Sequence, residues 1–175
     1  SKISMFIVCP FDSMGATMAT YGGQNAGGYK LDRLHKGLGS CIILGAVYSV
    51  IGLLIIAAFG PHLLKLFVSG SETGILADAQ HFLLINGLFY FPLALVNIVR
   101  FMIQGMGFGF FAIIAGVLEM AARTLVGAVF VPIFGYNAAC FASPLAWIFA
   151  DCFLIPAYFV VWNRMKRHKE AYRQV

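Results

Sequence analysis

Long apolar runs broken by short polar connections dominate this chain. Four of them, 38–60, 76–103, 109–132 and 138–162, are each long enough to cross a bilayer, and a fifth apolar segment, 3–24, precedes them. A spanning helix needs about 20 mostly apolar residues, because the hydrocarbon layer is about 30 Å thick and a helix rises about 1.5 Å per residue. The runs are continuous, unlike the alternating strands of about ten residues that build a membrane barrel. In lipid such a backbone satisfies its own hydrogen bonds as helix. The pattern predicts an all-α integral membrane protein, a bundle of about five transmembrane helices over 1–163 followed by a basic tail, 164–175.

Polar and helix-breaking residues punctuate the runs. Tyr21 to Gly28 supplies glycines and amides that stop the first helix. Leu31, Leu34 and Leu38 recur at helical spacing among charges, which predicts a short amphipathic helix at the membrane surface. Gly60-Pro61 predicts the end of the second span, with Leu63 to Val68 as an interfacial piece before the turn Ser69-Gly70-Ser71. Pro92 predicts a kink within the third span. Gln104 to Gly109 reads as a flexible turn; it lacks GxGxxG and follows no strand, so it is no nucleotide loop. Val131-Pro132 and Gly135-Tyr136-Asn137 close the fourth span, and Pro144 and Pro156 lie in the fifth. The small pairs Gly45/Ser49 and Ala112/Gly116 are candidates for close helix approach. The tail after Asn163 is expected to fray or to rest on anionic headgroups.

Composition agrees with this reading: 61% of residues are hydrophobic and 11% charged, with a mean hydropathy of +0.86. The net charge of +5 is distributed as membrane orientation requires, which argues against nucleic acid as a partner. If the spans alternate, Lys30, Arg33, Lys36, Arg100, Arg164, Lys166, Arg167, Lys169 and Arg173 fall on one side. That side, with the C-terminus, is then cytoplasmic, in a plasma (inner) membrane; Lys2 and Lys65 lie outside, and Arg123 lies within a span. The first segment has no basic leader region or small-residue cleavage site and contains Pro10 and Asp12, so it is not read as a signal peptide. Cys9, Cys41, Cys140 and Cys152 are scattered without CxxC spacing and read as buried free thiols. No metal, cofactor or enzymatic motif is found.

Ionisable residues deep in a membrane are costly and point to function or to a paired structural role. Asp12, Glu119 and Asp151 come from three helices, each about 15–18 Å from the nearer basic end by helical rise. They are candidate ion-coupling or proton sites. Arg123 is four residues from Glu119 and so a candidate ion-pair partner on the same face. That leaves at least one acid without an obvious partner. The bland alternative is a static network that fixes helix register, or a polar lining of a water-filled cavity. Asn86, Asn97 and Gln104 on the third span are candidate polar groups facing the same interior.

Four motifs, in order, cover almost the whole chain. Met18 to Gly27 with Asp32-Arg33 and Lys36-Gly37 resembles the "MATYxGQNxGA…DR…KG" junction of multidrug and toxic compound extrusion (MATE) transporters. Asn97-Ile98-Val99-Arg100 with Gln104-Gly105-Met106-Gly107 is similar to their "NxxRxxxQGxG" turn. Gly116 to Glu119 with Arg123 resembles "GxxExxxR", and Ser143 to Trp147 with Asp151 resembles "SPLAWxxAD". Asp12 departs from the family, which usually has an apolar or small residue there.

The resemblance implies a twelve-helix antiporter of two six-helix lobes, of which this chain matches the second lobe from its second helix onward. It implies export of drugs or other organic cations in exchange for Na⁺ or H⁺, with the N-terminal lobe as the partner this chain lacks. The chain is accordingly expected to be a partial transporter. Phe89, Tyr90, Phe91 and Met102 are candidates for a tolerant substrate surface, or for lipid contact. A flippase of lipid-linked precursors with the same architecture, and a non-transporting membrane fragment that needs a partner, are the alternatives. An Arg- and Lys-rich cavity favours the flippase.

Overall fold

The computed structural model describes residues 2–65 and 73–172. The described residues are almost entirely helical. The elements are α1 (Lys2–Gly27), α2 (Leu31–Lys65), α3 (Thr73–Leu88), α4 (Tyr90–Gly105), α5 (Gly109–Leu125), a π-helical turn (Val126–Phe130), α6 (Val131–Phe134) and α7 (Tyr136–Tyr172). Four helical stretches are long and apolar enough to span, and α3 and α4 meet the same criterion only together, as a pair bent by 53°. The five apolar segments read from the sequence all lie in helix.

Helix boundaries depart from expectation in instructive ways. The amphipathic stretch around Leu31, Leu34 and Leu38 is no separate helix: it is the first two turns of α2, with all three leucines buried. Pro61 does not end α2, which runs through it to Lys65. Gly60 leaves room there for Gln80 of α3, whose amide donates to the Ile56 carbonyl at 3.2 Å. The interfacial piece expected at 63–68 lies partly, and the turn at 69–71 wholly, outside the described residues. The basic tail does not fray after Asn163, because α7 continues to Tyr172. At 35 and 37 residues, α2 and α7 are each about 50 Å long, well beyond a 30 Å hydrocarbon layer.

Pro92 explains the bend. A helical proline cannot donate to the carbonyl four residues back and its ring presses against that group. Here that residue is Leu88, where α3 stops before α4 restarts at Tyr90. Pro132 is likewise preceded by an irregularity, the π turn at 126–130, and Gly135 reverses the chain with φ 64°.

Helix α4 is the hub. It packs against α1, α2, α5 and α7, and its Leu93, Ala94, Val96, Ile98, Val99, Met102 and Ile103 are all buried. Tyr90 and Met102, candidates for a substrate surface, are core residues instead; Phe91 is exposed and Phe89 half-buried. Helices α1 and α4 meet closely: a Cβ on Gly105 would run into the Ala19 backbone, and one on Gly15 into the Phe101 ring. Of the two small pairs, Gly45/Ser49 does bring helices together, with Gly45 against Ala94 and Ile98. Gly116 faces open space.

Candidate functional site

Most spans turn large apolar side chains outward. The exposed face of α2 carries Ile43, Leu44, Val47, Ile51 and Leu54; that of α5 carries Phe110, Ile113, Val117 and Met120. The outward face of α7 carries Phe141, Leu145, Phe149, Ile155 and Phe159. These are lipid-facing surfaces by composition.

Helix α1 is different. From Cys9 to Gln24 its exposed positions are Cys9, Asp12, Ser13, Ala16, Thr17, Thr20 and Gln24, a spacing of three and four that forms one face. No large apolar residue interrupts it. The opposite face, with Phe11, Gly15, Met18 and Gly22, is packed against the bundle. The hydroxyls of Ser13, Thr17 and Thr20 donate to Cys9, Ser13 and Ala16 carbonyls at 3.1, 2.8 and 3.3 Å. Their protons are thus engaged within the helix, and their oxygen lone pairs remain to accept. Asp12 is the one carboxylate of this face, and Asn97 of α4 donates to its Oδ1 at 3.3 Å. The face is therefore rich in acceptors and anchored to the hub helix.

The other two acids form a separate cluster on α4, α5 and α7. Glu119 receives Arg123 at 2.7 Å, as its spacing predicts. It also receives Arg100 from α4 at 2.5 Å. This corrects the assignment of Arg100 to the surface charges that set orientation. Its side chain is only 20% exposed and is committed to a carboxylate one helix away. Asp151 on α7 is buried within reach of the Arg100 and Glu119 charges, and its Oδ1 has no hydrogen-bond partner among the described residues. Arg100 Nε is buried and likewise unpartnered there. The cluster thus holds two guanidinium groups, one shared carboxylate and one carboxyl group with an unsatisfied oxygen.

The three acids are not gathered into one site. No hydrogen bond or ion pair among the described residues joins Asp12 to Glu119 or Asp151. Nor do the neutral candidates line one interior. Asn86 is buried and donates to the carbonyls of Phe82 and Cys140, at 2.9 and 3.5 Å, tying α3 to α7. Gln104 is exposed at the end of α4. Only Asn97 reaches a candidate acid. Cys41 and Cys140 are buried, whereas Cys9 and Cys152 are exposed, contrary to the expectation that all four thiols are core residues. No group of three or more His, Cys, Asp or Glu among the described residues is placed to hold a metal ion.

Sequence reading missed two features. One is the role of Arg100, whose position near a turn made it look like a surface charge. The other is the acceptor face of α1, whose signal was present in the spacing of Cys9, Asp12, Ser13, Ala16, Thr17, Thr20 and Gln24.

Residues 1–133 match the family model MatE. The fold is similar to a solved structure described as the inward-facing conformation of a multidrug resistance MATE family transporter of the MOP superfamily. The TM-score is 0.75 at 16% sequence identity, over 97% of this chain and 39% of that one. This chain thus spans well under half the length of that transporter. No curated protein matches.

Proposed function

The chain belongs to the MatE family, whose members are transporters and not enzymes, and from that premise we propose that it forms part of a secondary antiporter exporting organic cations. The observation that carries this reading is the polar face of α1 that includes Asp12. A span surrounded by lipid has no use for seven consecutive small or polar outward positions. Opposite a second lobe, the same face becomes the wall of a wet central path. Its oxygen acceptors and its carboxylate suit a cation, whether cargo or coupling ion.

In this reading Asp12 binds the cation that drives exchange, Na⁺ or H⁺, and Asn97 fixes its rotamer. Differential affinity for that cation in the outward- and inward-open states then shifts the balance between them. Asp151 is the second candidate, reached from the bundle interior. Glu119, held by two arginines, is structural. The excess of Lys and Arg at the start of α2 and the end of α7 supports a cytoplasmic C-terminus in a plasma (inner) membrane.

The lipid-precursor flippase is less well supported, since the α1 face carries no base and both intramembrane arginines are engaged by Glu119. A chain alone, without an opposing lobe to rock against, is not expected to transport.

The test is efflux of a cationic dye by the complete transporter carrying Asp12→Asn, Glu119→Gln or Asp151→Asn, at matched expression. Loss of Na⁺ or pH dependence is expected for Asp12→Asn or Asp151→Asn. Unchanged dependence in all three would place the coupling site elsewhere.

A further inference from the structure

The side of α4 turned away from α1 carries a second feature. Asn97 and Phe101 point to α1, where they meet Asp12 and Gly15. Leu95 and Val99, two residues away along the same helix, lie on roughly the opposite side. There they floor a groove of about 270 Å³ between α2 and α7, walled by Gly39, Ile42, Tyr158 and Phe159, with His35 at its mouth. The polar wall and the groove therefore lie on opposite sides of the hub helix. The groove opens between the two apolar outward faces of α2 and α7.

Its two ends differ. Away from the mouth the lining is aliphatic and aromatic, with the Tyr158 hydroxyl as a polar exception. At the mouth, the His35 ring lies 5.4 Å from that of Trp162, the aromatic pair expected at headgroup level. Beyond the mouth, residues 28–36 and 163–170 together carry seven Lys or Arg against Asp32 and Glu170. An apolar slot ending at an aromatic rim and a cationic surface matches one kind of molecule in a bilayer.

We propose that this groove binds an anionic phospholipid. One acyl chain lies along Leu95, Val99 and Tyr158, and the phosphate sits beside His35 and the basic ends of α2 and α7. The site does not depend on the transport reading: it requires only that these helices span a membrane. Zwitterionic lipid would fill the slot with the same chain but gain nothing from the cationic rim.

Trp162 reports the occupant. The chain is reconstituted in phosphatidylcholine vesicles with a rising fraction of phospholipid brominated on its acyl chains, and tryptophan quenching is measured. The headgroup is phosphatidylglycerol in one series and phosphatidylcholine in the other. Trp147 is the other tryptophan and is buried, so it contributes an unquenched baseline. Quenching is expected at about five-fold lower fractions of phosphatidylglycerol, the worth of one lysine at an anionic surface. Gly39→Leu fills the groove, and its Cβ meets nothing within 4 Å, so the fold is retained. In that variant the preference is expected to disappear. Equal quenching by the two headgroups in the native chain would overturn the proposal. So would a preference that survives Gly39→Leu, because the rim charges alone would then account for it.

Discussion

Arg100 on α4 and Glu119 on α5 form an ion pair at 2.5 Å that joins two helices of a largely apolar bundle. Arg123 grips the other oxygen of the same carboxylate from one turn along α5. The two arginines are unequal, since Arg100 is 20% exposed and Arg123 48%. Glu119→Gln removes the hydrogen-bonded partner of the mostly buried Arg100, and breaking such a pair typically costs about 3–5 kcal/mol. Arg123→Gln removes an exposed pair within one helix, at about 0–1 kcal/mol. Unfolding of the purified chain in mixed detergent should rank Glu119→Gln far below Arg123→Gln, and similar midpoints would show the network to be dispensable.

A second expectation concerns the contact between α1 and α4. Gly105→Ala places a methyl group against the backbone of Ala19, which cannot rotate away. The helices must separate, with a loss of about 1–3 kcal/mol from overpacking. Gly116→Ala, facing open space, should gain about 0.5–1 kcal/mol from helix propensity. Thermal midpoints of the two variants are expected to move in opposite directions; a Gly105→Ala protein as stable as the native one would refute the close approach.

These contrasts show what the sequence could and could not reveal. The helical state of the apolar runs followed from their length and continuity, because a bilayer permits few other structures. Proline effects were half legible. Pro92 announced a bend, whereas Pro61 was read as a stop, since nothing in the chain signals that Gln80 will pack at that level. Glu119 with Arg123 was visible as a four-residue spacing, but Arg100 was not, because its contact joins residues 19 apart. Asp12 stood out as an isolated charge, while its Asn97 partner comes from 85 residues away and depends on how α1 and α4 pack.

The bend itself makes a third prediction. Pro92→Ala restores a donor for the Leu88 carbonyl and removes the ring that presses on it. The 53° angle between α3 and α4 should decrease. Spin labels at Ala77 and Leu95, on either side of the break, are expected to move apart in the variant. An unchanged distance distribution would assign the bend to packing by α2 and α7 instead.

The cysteines supply a fourth test that needs no substitution. Cys9 is exposed on the polar face of α1, and Cys152 is exposed between Phe149 and Ile155 on an apolar face. In the complete transporter, a membrane-impermeant charged maleimide should modify Cys9 and spare Cys152. Cys41 and Cys140, being buried, should react only after unfolding. Modification of Cys152 in preference to Cys9 would invert the assignment of wet and lipid-facing sides.

The acceptor-lined side of α1 also bears on biogenesis. A bilayer is a poor neighbour for the Asp12 side of α1, where an aspartate at the centre of a lone span costs about 2.5–3.5 kcal/mol. On the proposed reading, until a matching surface shields it, the inserted bundle carries a mark that tells an unassembled state from a finished one. Membrane proteases and chaperones could read that mark, so the residues that would carry cations in the finished transporter would also time its maturation.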